Sequence, residues 1–123
     1  MVSIVKGKGR LTKLNKYITT ATIAVQRGLQ NYATFTGRAS RAEFWYFLIF
    51  FYFMNFLGNL ISDVLGTIVS LALLLPYIAV GVRRMHDRNK SGWYLIVPLF
   101  NIYLLATVGD SGPNRFGPKP VKL

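Results

Sequence analysis

Residues 44 to 82 read FWYFLIFFYFMNFLGNLISDVLGTIVSLALLLPYIAVGV, and Asp63 is the only charged side chain among them. The stretch divides into two charge-free runs of nineteen residues, 44–62 and 64–82, and a third run of that length follows at 91–109. Nineteen helical residues at ~1.5 Å each span roughly 28 Å, close to the ~30 Å hydrocarbon core of a bilayer. No alternating strand pattern is present, and in lipid the backbone must satisfy its own hydrogen bonds, so the runs predict helices. One helix over 44–82 would be roughly 58 Å long, too long for a bilayer, so the chain must turn near Asp63. Asn59, Ser62, Asp63 and Gly66 supply turn and cap chemistry for a tight helical hairpin.

Asn55, Asn59 and Ser62 share a face of the first run, and Gly66 and Ser70 have small-x-x-x-small spacing in the second. Such residues let helices approach and hydrogen-bond, within the hairpin or between copies. The third run contains Pro98 and Asn101 and opens with Ser91-Gly92. A kinked third span is the expected form, with a re-entrant or interfacial segment as the alternative.

Composition agrees with a membrane address. Hydrophobic residues make up 52% of the 123 and charged residues 15%, against about 25% charged in ordinary globular chains. So small and oily a chain would struggle to stay monomeric in water, which disfavours a soluble enzyme. Cysteine is absent, which excludes a disulfide framework, a thiolate metal site and a Cys nucleophile. The start of the chain lacks the pattern of a removable signal peptide, and none is expected.

Upstream of the hairpin, Leu11, Leu14, Ile18, Ala21, Val25 and Leu29 recur at three- and four-residue steps, with Lys13, Lys16, Thr20 and Arg27 mostly elsewhere on the wheel. This predicts a basic amphipathic helix in an N-terminal extension, residues 1–31, suited to the headgroup layer of an anionic leaflet or to packing on the protein itself. Residues 1–10 are expected to be a flexible basic tail. The membrane domain occupies 32–120, and 110–123 reads as a Gly- and Pro-rich tail.

Fifteen Lys and Arg face four acids, for a net charge of +11. Eight of these cations precede Phe44, four lie within 83–90, three follow Gly109 and none lies at the Asp63 turn. Positively charged loops stay cytoplasmic, so the N-terminus and the segment 83–90 are expected inside and Asp63 outside. Three crossings would put the tail outside, although its own cations favour the inside.

Two polar clusters then share the inner face: Arg38, Arg41 and Glu43 before the first span, and Arg83, Arg84, His86, Asp87 and Arg88 after the second. Glu43 can pair with Arg83 or Arg84, and Asp87 with Arg38 or Arg41, pinning the hairpin's inner ends. The same arginines form a candidate anion site, able to clamp a phosphate. One His without Cys, among four scattered acids, makes a poor catalytic or metal constellation, so no catalytic, metal or cofactor residue is assigned. Trp45 and Trp93 fall at the inner interface as belt aromatics. No ionisable residue lies deep in a span, which argues against a proton-coupled transporter.

At these residues the chain resembles a bacterial inner-membrane family, domain of unknown function 805. Tyr32, Phe35, Gly37, Arg38, Arg41, Glu43, Phe44 and Trp45 carry its first motif. Arg83, Arg84, Met85, His86, Asp87, Ser91 and Trp93 carry the second, and Gly112, Asn114, Arg115, Phe116, Gly117, Pro118 and Pro120 the third. The resemblance covers Tyr32 to Pro120 and leaves the N-terminal extension outside it. It implies a small multi-pass bacterial inner-membrane protein without an established activity.

The resulting expectation is an all-α integral membrane protein: a basic amphipathic N-terminal helix, a tight transmembrane hairpin and a third kinked hydrophobic helix, with the N-terminus cytoplasmic. A non-enzymatic scaffold, adaptor or regulator is expected, binding anionic lipid and another membrane protein or itself. An oligomeric pore or transport component is the alternative. Nucleic acid is disfavoured, since no recognised binding motif appears and orientation accounts for the cations.

Overall fold

The computed structural model describes residues 2–123, with side chains from residue 7 onward. Among the described residues there are four α-helices: α1 (Val2–Gln30), α2 (Arg41–Ile61), α3 (Asp63–Asp87) and α4 (Phe100–Ala106), with a 3-10 turn at Gly92–Ile96. Among the described residues there is no strand, only an isolated pairing of Asn114 with Gly117.

A single residue separates α2 from α3. Ser62 is extended, at φ −165° and ψ 157°. Its N–H donates to Gly58 O at 3.1 Å, closing α2, while its Oγ accepts from Leu65 N at 3.0 Å, capping α3. Near this turn a Cβ on Gly58 would lie 3.1 Å from the Cα of Gly66, tighter than ordinary contact, and one on Gly66 would strike the Asn59 side chain, so the two glycines favour the close approach. Ser70 Oγ also donates to Asn55 Oδ1 across the hairpin. The small and polar residues therefore close the hairpin itself.

Among the described residues, α2 and α3 are the two helices long and apolar enough to cross a membrane. They expose large apolar side chains over most of their length, including Phe56 at 60%, Ile61 at 76% and Leu71 at 67%. A core helix of a water-soluble protein would enclose these groups. The buried core is small and lies toward the Arg41 and Asp87 ends, where Phe44, Phe47, Val80 and Met85 meet Leu104 and Leu105 of α4.

Pro76 sits inside α3 and cannot donate to the carbonyl of Ala72. The Tyr32 hydroxyl donates to that carbonyl instead, and α3 continues to Asp87. α3 then ends in a Schellman motif: Asn89 N–H bonds His86 O at 2.9 Å and Lys90 N–H bonds Met85 O at 3.0 Å. Asn89 takes the left-handed conformation, φ 57°, that the motif requires.

The segment 91–109 departs from the expected kinked third helix. Its 3-10 turn ends at Ile96, and the chain reverses over Val97–Leu99, with Leu99 at φ 65°. α4 returns for only seven residues, about 10 Å. Both ends of the excursion lie at one end of the hairpin, because Asp110 N–H donates to Asp87 O at 2.9 Å. The reason is local: Pro98 offers no N–H, and Asn101 Nδ2 turns back to Leu95 O at 2.7 Å, so the helix cannot run through. In place of one kinked helix, 91–109 forms a 3-10 turn, a reversal and a short helix that begin and end at the same end of the hairpin.

α1 also differs from expectation, since the helix runs from Val2 where a flexible tail over 1–10 was expected. Its C-terminal half docks on the hairpin through small residues: Ala24 is fully buried, and Gly28 lies so close to Phe47 that a Cβ there would strike the ring. Leu11 and Ile18, each 62% exposed, stay free.

Candidate functional site

The loop between α1 and α2 brings Arg38 under the end of α3. Gly37, at φ 86°, makes the sharp turn that allows this, and Ala39 N–H bonds Arg83 O at 3.0 Å. Ser40 then caps α2, accepting from Glu43 N at 3.2 Å. In a capping box the Glu43 carboxylate would reach back to Ser40. Here it accepts from Arg83 Nη1 at 2.7 Å instead, joining the inner ends of α2 and α3.

Asp87 is the hub. Its carboxylate takes Arg38 Nε at 3.0 Å on one oxygen and Arg84 Nη1 on the other. Both guanidiniums spend their remaining donors on backbone carbonyls. Arg38 reaches Gly112 O and Asp110 O, each at 2.7 Å, and Gly117 O at 3.2 Å. Arg84 reaches Leu105 O at 3.1 Å and Thr107 O. Arg38 and Arg84 therefore staple the tail and the C-terminus of α4 to α3, where a cation also suits the helix dipole.

The tail motif converges on the same place. Asn114 Nδ2 donates to His86 O at 2.9 Å and Asp110 Oδ2 at 3.0 Å, and its Oδ1 accepts from Phe116 N at 2.9 Å. Gly117, at φ 122°, closes the turn, and the Phe116 ring stacks on His86 at 4.0 Å, 3° from parallel. Arg115 Nη2 reaches Asn89 O at 3.2 Å.

His86 lies beyond Val82, where the charge-free stretch of α3 stops. Burial holds its pKa below the ordinary value; the hydrogen bond of Nδ1 to Gly37 O pulls the other way, and the Arg115 charge adds to the lowering. The neutral ring then donates from Nδ1. Among the described residues no three of His, Cys, Asp and Glu gather closely enough for a metal ion.

The remaining sequence candidates are dispersed. Arg41 is exposed and reaches Ala106 O at 3.4 Å, not Asp87. Arg88 lies over the Tyr103 ring, 5.6 Å from its centroid. Trp45 anchors α4 through Nε1 to Leu105 O at 3.1 Å, whereas Trp93 is 77% exposed. Sequence reasoning missed the carbonyls of Asp110, Gly112 and Gly117, which no side-chain motif reports. It also missed Arg27 and Lys119, which line a cavity with Arg83.

Residues 32–118 match the family described as "Protein of unknown function (DUF805)". The chain is 34% identical over 114 residues to the inner membrane protein YhaH of Escherichia coli (strain K12), covering 75% of this chain and 91% of that protein. It is 37% identical over 106 residues to the inner membrane protein YhaI of the same strain, covering 75% and 90%. No solved structure matches. The matched region starts at Tyr32, beyond α1, and takes in all three segments that meet at Asp87, so the chain belongs to the DUF805 family.

Proposed function

We propose that the chain is a two-pass inner-membrane hairpin whose α1, Asp87 cluster and tail all face the cytoplasm, and that it acts as a non-enzymatic scaffold or regulator for another membrane protein. The observation that carries this reading is the asymmetry of the hairpin. Its exposed apolar sides would lie against lipid, its Ser62 turn holds no cation, and Arg38, Arg83, Arg84 and the tail gather at the opposite end. Cations retained in the cytoplasm set that orientation.

α1 supports the lipid part of the proposal. Residues 8–19 are exposed on every face, and Leu11, Leu14 and Ile18 alternate with Lys13 and Lys16. A helix of this kind lies in an anionic headgroup layer with its apolar stripe buried. The arginine staples support a structural role for the cluster, since Asp87 has both oxygens engaged.

The test uses the chain's lack of cysteine. Asp63→Cys should react with an impermeant maleimide in intact cells, and Lys122→Cys only after lysis. Labelling of both in intact cells would overturn the two-pass arrangement. Ion conductance in proteoliposomes would overturn the scaffold reading in favour of an oligomeric pore.

A further inference from the structure

A cavity of about 480 Å³ opens where the end of α1, the following loop, the start of α2, the C-terminal part of α3 and the tail meet. Arg27, Gly37, Arg38, Glu43, Arg83 and Lys119 are among the residues lining it. Their charges are not equally free. Arg38 is committed to Asp87 and three tail carbonyls. Arg83 differs: its side chain is 6% exposed, its Nη1 is held by Glu43, and its Nε and Nη2 have no acceptor. Buried polar groups in native proteins are almost always satisfied, and a guanidinium is costly to leave otherwise. Nε and one terminal nitrogen of a guanidinium form a planar pair of donors that suits two oxygens of one oxyanion.

Charge decides the class of oxyanion. With Arg38 held at Asp87, which it shares with Arg84, the cavity keeps Arg27, Arg83 and Lys119 against Glu43 alone, an excess of at least two positive charges. A carboxylate would leave half of that excess, whereas a phosphate monoester, with a second pKa near 6, matches it at neutral pH.

We propose that this cavity binds a phosphate group, with Arg83 as the buried fork and Arg27 and Lys119 as the outer cations. The phosphate belongs either to a lipid headgroup or to a soluble phosphate ester. The site requires only the packing of α1, the start of α2, α3 and the tail, so it stands independently of the membrane topology proposed above.

The experiment uses the full chain in a neutral detergent, with thermal unfolding and calorimetric titration as readouts. One arm adds inorganic phosphate, and the other adds dihexanoyl phosphatidate against dihexanoyl phosphatidylcholine. A saturable rise in Tm with inorganic phosphate assigns a soluble ligand; a rise only with phosphatidate assigns a headgroup. Arg83→Gln strands Glu43 and endangers folding, so the test rests on Arg27→Gln with Lys119→Gln. That pair should weaken binding by about tenfold or more and leave the Tm without ligand unchanged. Lys13→Gln with Lys16→Gln, on the free half of α1, should bind as the wild type does. The proposal is overturned if neither probe gives a saturable response, if the Arg27 and Lys119 variant binds normally, or if the Lys13 and Lys16 variant loses binding equally.

Discussion

The Tyr32 hydroxyl donates to the backbone carbonyl of Ala72, the group that Pro76 leaves without a helical donor four residues later. In a bilayer such a carbonyl has no water to turn to, so a partner from outside the helix keeps α3 intact at its proline. Tyr32 is also the first residue of the family match.

The first prediction is a thermodynamic cycle. Tyr32→Phe removes only the donor and should lower stability in detergent by about 1–3 kcal/mol, the cost of an acceptor left unsatisfied in an apolar phase. Pro76→Ala restores an N–H for Ala72, so Tyr32→Phe in that background should cost little. Chemical unfolding in micelles measures both, and an equal cost in the two backgrounds would mean that Tyr32 does something other than satisfy this carbonyl.

Two prolines in apolar stretches thus met opposite fates, and this marks how far the sequence could be read. Length and charge were enough to predict a hairpin over 44–82, and the break at Ser62 lies beside the predicted Asp63. They could not separate 91–109 from the other two runs. Pro76 continues a helix because Tyr32 supplies a distant donor, whereas at Pro98 the chain reverses and Asn101 binds Leu95 O. The gathering of the two arginine clusters was legible from their shared position at the span ends. Which arginine stays free was not, because Arg38 and Arg84 are absorbed by backbone carbonyls, and carbonyls have no residue-type signature.

The second prediction concerns the hub. Asp87→Asn leaves two buried guanidiniums, Arg38 and Arg84, without their anion and should cost about 3–5 kcal/mol. The tail should detach as well, seen as faster proteolysis after Gly109. Asp63→Asn removes an exposed acid at the start of α3 and should cost under about 1 kcal/mol. Equal losses would mean that Asp87 is not buried as described.

A third prediction follows from His86, whose pKa burial holds below its ordinary value of about 6.5. As the pH falls through that value the unfolded chain takes up a proton that the folded chain refuses, so stability should fall until the folded-state pKa is reached. Above about pH 6.5 the ring is neutral in both states and the effect vanishes. His86→Gln can still donate to Gly37 O and should flatten this part of the Tm against pH curve. A wild-type curve flat between pH 7 and about 5, above the usual carboxylate range, would contradict the burial of the ring.

The last prediction tests the reversal at Leu99, on which the re-entrant path depends. Leu99 is 80% exposed and sits at φ 65°, where an L-residue is strained by about 1–2 kcal/mol and glycine is not. The informative comparison is between Leu99→Gly and Leu99→Ala, since both remove the side chain and its contact with detergent. In the turn seen here alanine keeps its Cβ in the left-handed region, so the glycine variant should be the more stable of the two by about 1 kcal/mol. In a continuous third crossing residue 99 would lie mid-helix, where glycine is less stable than alanine by about 1 kcal/mol. The sign of a single difference in unfolding free energy therefore separates the two paths, and a more stable alanine variant would restore a third transmembrane helix.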